Sequence, residues 1–138
     1  MKRNRFKIRI TAMMVGSVVA LWFALPDVAY ARTVTIEGRK IESSFSASSN
    51  SAAASIYYTE GTGKVTASVN GYAYSYSYPQ TTKTVSDSNG SNPTPGGASA
   101  SVNAPSGYRF YAADSSCSYE VYINGTTYSG TISDNTDL

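Results

Sequence analysis

From residue 33 onward the chain alternates polar and apolar side chains, and the helical period is missing. Thr33-Val34-Thr35-Ile36-Glu37 alternates residue by residue, the period-two signature of a half-buried strand. Ile41, Phe45 and Ala47 carry the pattern on to a turn cluster at Ser48-Ser49-Asn50-Ser51. Ala54, Ile56 and Tyr58 share a face, and Glu60-Gly61-Thr62-Gly63 has the length of a hairpin connection into Val65, Ala67 and Val69. At Asn70-Gly71 the pattern allows two readings: a type I′ hairpin turn, or a strand that runs on with glycine at a bulge or close approach. Either way Tyr72, Tyr74, Tyr76 and Tyr78 lie on one face, until Pro79 ends the run.

Thr82 to Ser86 is a weaker strand. Residues 87–97 hold Asn-Gly, Asn-Pro-Thr-Pro and Gly-Gly and nothing apolar, which predicts a long loop open to proteolysis. Ala98, Ala100, Val102 and Ala104 alternate again, and Tyr108, Phe110 and Ala112 follow Pro105-Ser106-Gly107. The clearest hairpin comes last, with Cys117, Tyr119, Val121 and Ile123 leading into Asn124-Gly125 and Tyr128, Gly130 and Ile132 leaving it. The sum is an all-β fold: about seven to nine short strands in a small antiparallel β-sandwich or partly open barrel. The competing reading is a loosely ordered Ser-rich chain, above all over residues 42–55.

The first residues follow a different pattern. Lys2, Arg3, Arg5, Lys7 and Arg9 precede an uncharged stretch from Ile10 to Leu25; Pro26 breaks it, and Ala29-Tyr30-Ala31 follows. A basic region, an apolar region and an A-x-A site read as a secretory signal peptide over 1–31, cleaved so that the mature domain, 32–138, begins at Arg32. The uncharged stretch falls short of the ~20 apolar residues of a spanning helix, so no membrane span is expected after cleavage.

That division changes the charge. The whole chain carries 11 Lys and Arg against 9 Asp and Glu, whereas residues 32–138 keep six basic and eight acidic groups. A weakly acidic domain gives no basis for a nucleic-acid partner. Ser and Thr number 34 of those 107 residues, Tyr 11, and Ile, Leu, Val and Phe only 14. That is well under the ~20% of large apolar residues usual in globular chains. A core of Tyr, Ala and a few β-branched residues is expected. The lack of paired cysteines in so small an exported domain points to a bacterial source.

With no His and one Cys, the chain offers no His-based triad, no Cys/His zinc site and no intrachain disulfide. Neither a nucleophile elbow nor a phosphate loop nor a calcium-loop motif occurs, so the chain reads as a non-enzyme without cofactor or metal. Asp114 with Asp87 or Asp134 could contribute to a calcium site, but without the loop motif. Asn89-Gly90-Ser91 and Asn124-Gly125-Thr126 match the glycosylation sequon but read as turns. Cys117 admits an intermolecular disulfide in a homodimer, or burial in phase with Tyr119, Val121 and Ile123; the shared parity favours burial.

Tyr72, Tyr74, Tyr76 and Tyr78 are the candidate ligand-binding residues. An exposed row of phenols suits stacking on sugar rings or packing on a protein. The rival reading makes the row the core face, and the shortage of aliphatic residues favours it. The leading functional expectation is a secreted extracellular binding module for a cell-wall polymer, polysaccharide or protein partner. Two alternatives stand behind it: a self-assembling matrix or coat protein, since Tyr/Ser/Ala strands with little net charge can pair between chains, and a bacteriocin-like toxin.

Overall fold

A computed structural model describes residues 28–138; of the expected leader, residues 1–27 lie outside the described residues. Six strands follow one another: β1 (Val28–Ile36), β2 (Arg39–Ala47), β3 (Ser51–Ser75), β4 (Thr82–Asn103), β5 (Tyr108–Ile123) and β6 (Thr126–Asp137). All pair antiparallel in a single sheet of order β1-β2-β3-β5-β6, with β4 on β3. The described residues contain no helix.

β3 has three neighbours because it is long and bent. Residues 52–57 pair with β2, residues 62–75 pair with β5, and β4 follows the other edge along both stretches. The result is two arms, β1–β2 with the first half of β3 and β5–β6 with the second, curled into a half-barrel about one core. The all-β, antiparallel expectation holds, but with six strands instead of seven to nine.

The count differs because three turn signals lie inside strands. Glu60 to Gly63, expected as a hairpin connection, is a bend within β3. Residues 87–97, expected as a loop, belong to β4. The two glycine-rich segments face each other: the β3–β4 register breaks between Tyr58 and Gly63, opposite Gly96 and Thr94. Gly63 and Gly96 have φ of 156° and 153°, and a Cβ on Gly63 would overlap the Glu120 carbonyl. Glycine therefore turns the whole hairpin over without ending it. Across the bend the inward parity of β3 changes from even residues to odd ones, as an irregularity requires. At Asn70-Gly71 the strand runs on, and Gly71 is a close approach, since a Cβ there would overlap the Phe110 ring. Asn124-Gly125 is a true two-residue turn, with φ of 49° and 80°.

Residues 42–55 are ordered in β2, the Ser48–Ser51 turn and the start of β3. The core gathers the inward faces of both arms: Ile41, Phe45, Ile56, Val65, Val69, Phe110, Val121 and Ile123, filled in by alanines such as Ala54, Ala67, Ala73 and Ala113. Tyrosine contributes only Tyr30 and Tyr58 to the fully buried set. Tyr30 stacks on Phe45 with ring planes 2° apart. Arg32 of β1 meets Asp134 of β6 across the two arms, Nε donating to Oδ1 at 2.7 Å.

β4 is a long edge strand, and side chains from its first half cap its second half. Ser101 N–H donates to Asp87 Oδ2, Asn89 Nδ2 donates to the Ser99 carbonyl, and Asn92 Nδ2 donates to the Gly97 carbonyl. These side chains take up backbone groups that would otherwise recruit another strand.

Candidate functional site

The inward positions at the end of β3 are Gly71, Ala73 and Ser75, all buried; the tyrosines take the alternate, outward positions. The core reading of the Tyr row is thereby overturned. The physical cause is that β3 runs on through Asn70-Gly71, so the inward phase of Val65, Ala67 and Val69 continues to Gly71, Ala73 and Ser75 and leaves the even-numbered tyrosines outside.

The row does not stay together. Tyr72 and Tyr74 are half-buried within β3, whereas Tyr76 and Tyr78 lie past its end and are 61% and 96% exposed. Tyr74 instead meets Tyr111 of β5, ring centroids 6.2 Å apart and tilted by 39°. Arg109 places its guanidinium 5.5 Å from the Tyr76 ring centroid, a cation–π distance. Tyr111 alternates outward from buried Phe110, and the register shift of β5 opposite Tyr72 and Ala73 leaves it as the extra, unpaired residue of a bulge before Ala113 turns inward. The cluster that forms is Tyr72, Tyr74, Tyr76 and Tyr111, with Arg109 at its margin.

A hydrogen-bonded chain crosses three strands beside these rings. Ser86 Oγ of β4 donates to Asn70 Oδ1, and Asn70 Nδ2 donates to Asp114 Oδ1 of β5. Tyr72 Oη donates to Asp114 Oδ2 at 2.6 Å. This charge-assisted bond, with some help from burial, raises the Tyr72 pKa above that of an ordinary phenol. Tyr72 therefore keeps its proton, and its ring is held in one orientation by a carboxylate whose other oxygen accepts from Asn70.

Sequence reasoning did not find Tyr111, Arg109, Asn70 or the role of Asp114. Tyr111 follows the outward alternation from buried Phe110, but its place beside Tyr74 is set by the β3–β5 register, which nothing local in the sequence displays. Asp114, Asp87 and Asp134, weighed together for calcium, are separated: Asp87 caps Ser101, and Asp134 is buried against Arg32. Among the described residues no three His, Cys, Asp or Glu side chains gather as a metal site.

Ala29 and Ala31, the expected cleavage residues, sit in β1 opposite Ser46 and Ser44, with Arg32 next along the strand. Tyr30 between them is wholly buried. A peptidase needs its substrate extended and free, so a cut between Ala31 and Arg32 would have to precede the pairing of β1 with β2 and would remove the Tyr30 ring from Phe45. Cys117 is buried, its Sγ 3.8 Å from the Ser55 carbonyl. Burial pushes the thiol up to about 11, so it is protonated and a poor nucleophile at neutral pH.

Comparison with known family models, curated proteins and solved structures finds no match to this chain.

Proposed function

We propose that the protein is a secreted, non-enzymatic binding module that holds a polysaccharide on the outer face of its β3–β5 arm. The observation that carries this reading is the outward cluster of Tyr72, Tyr74 and Tyr111, joined to the Ser86–Asn70–Asp114–Tyr72 hydrogen-bond chain. Sugar rings present an apolar C–H face and a rim of hydroxyl groups. Phenol rings cover the first, and fixed amide and carboxylate groups bond the second. Held rotamers lower the entropy that binding has to overcome.

Four of the eight carboxylates of residues 32–138 are tied up in structural contacts, which supports binding over catalysis. Asp114 accepts two hydrogen bonds, Asp134 is ion-paired, Asp87 caps a strand edge, and Glu60 accepts from the Lys40 N–H. Each of these has a structural partner, where glycoside hydrolysis needs two carboxyl groups facing each other across a cleft.

The test is depletion from solution by insoluble cellulose and chitin. The unaltered chain is expected to pellet with at least one of them. Tyr72→Ala and Tyr111→Ala should each weaken retention about tenfold, about 1.4 kcal/mol. Tyr57→Ala, at an exposed tyrosine on the other arm, should leave retention as it was. Equal retention of all three variants would contradict the proposed face.

A further inference from the structure

We infer that the ligand is an extended neutral glycan, and that it runs along β3 and β5 from the tyrosine cluster to a second, charged subsite at Lys64 and Glu120. This rests on the proposed function and adds the length and charge class of the ligand.

The second subsite is a hollow of about 440 Å³ on the same outer face, where Lys64 and Glu120 face each other in register. Thr66, Ser118 and Thr131 form the next cross-strand row, so the hollow lies between two rows of polar side chains. Among the described residues the Lys64 ammonium has no ion pair, and it is free to donate. Glu120 takes the Tyr122 hydroxyl on Oε1, leaving Oε2 to accept. A donor and an acceptor on adjacent strands fit a neutral hydroxyl or acetamido group, which both accepts and donates. Two like charges would fit an ionic ligand, and these cancel.

The path between the two subsites is polar throughout. Lys64 and Tyr72 are eight residues apart in β3, a span of roughly 26 Å at about 3.3 Å per residue. The outward residues along it are Thr66, Ser68 and Asn70 of β3 with Ser118, Ser116 and Asp114 of β5. All bear hydroxyl, amide or carboxylate groups, and none is aliphatic. A monosaccharide would use one end only, whereas a chain of several sugar units could span both. At the aromatic end the Arg109 and Asp114 charges again offset each other, so no strong single-sign field attracts a polyanion.

The experiment is calorimetric titration of the intact chain with β-1,4-linked glucose and N-acetylglucosamine oligomers, from dimer to hexamer. Affinity for at least one series is expected to rise tenfold or more from dimer to hexamer. In Lys64→Ala and Glu120→Gln that rise should disappear, with hexamer affinity down about tenfold. If the hexamer binds both variants as tightly as the unaltered chain, or if affinity is the same at every length, the long track is wrong while the tyrosine face stands. If neither series binds the unaltered chain, the proposed function itself fails.

Discussion

At the residue scale the account turns on Tyr72 and its carboxylate. The Asp114 bond raises the Tyr72 pKa, so the folded chain holds this proton more tightly than the unfolded chain does. The bond therefore stabilises the fold below pH ~10, the usual phenol value, and this contribution is lost as pH rises through the folded pKa. Spectrophotometric titration should show two late-ionising tyrosines, Tyr72 on Asp114 and Tyr122 on Glu120, and Asp114→Asn should leave only one. Cys117 gives a second check. Its buried, protonated thiol should resist a soluble disulfide reagent at pH 8 in the native chain and react fully once denatured; prompt native reaction would mean that the arms open. Tyr30 gives a third. A chain starting at Arg32 lacks the ring on Phe45 and should be less stable than one starting at Val28 by about 3 kcal/mol, the cost of losing a large buried aromatic. Thermal melts of the two chains measure that difference, and equal stability would contradict the structural role of the Tyr30 ring.

At the scale of the element, the bend in β3 decides which face is which. A Cβ at Gly63 overlaps a backbone carbonyl, whereas at Gly71 it overlaps the Phe110 side chain. A ring can shift where a backbone cannot. Gly71→Ala should cost about 1–3 kcal/mol, and Gly63→Ala more, with loss of the β3–β5 register; a denaturant melt ranking them the other way would contradict this reading of the bend. The same elements show what could be read from sequence. The alternation at Ile41–Ala47, Val65–Val69 and Cys117–Ile123 was legible because each apolar residue there faces the core. The Asn124-Gly125 turn was legible because its positive φ selects those residues. The strand boundaries at 60–63 and 87–97 were not, because glycine and proline serve a bend as readily as a turn and only the partner strand tells them apart. The orientation of the Tyr row was hidden for the same reason at Asn70-Gly71, where glycine serves a close approach to Phe110 and the strand carries the Val65–Val69 phase on to Ala73. Tyr111 and Asp114 join Tyr72 across forty residues of sequence, a pairing set by the β3–β5 register.

On the scale of the whole molecule, two arms close on an aliphatic-poor core, and Arg32–Asp134 ties their outer strands together. Asp134 is buried while Arg32 is partly open, so Arg32→Ala leaves a charge without its partner, at an expected cost of about 3 kcal/mol. Replacing both should recover part of that loss in a double-mutant cycle. The capped β4 edge weighs against assembly through that strand, and the outer face of the β3–β5 arm is the proposed binding surface. The most direct test of that assignment is chemical-shift mapping of amide resonances during titration with a hexameric β-1,4-glucan or N-acetylglucosamine oligomer. The account predicts shifts along residues 64–74 of β3 and 109–120 of β5, with β1 and β2 unmoved. Shifts centred on β1 and β2, or none at saturating oligomer, would contradict it.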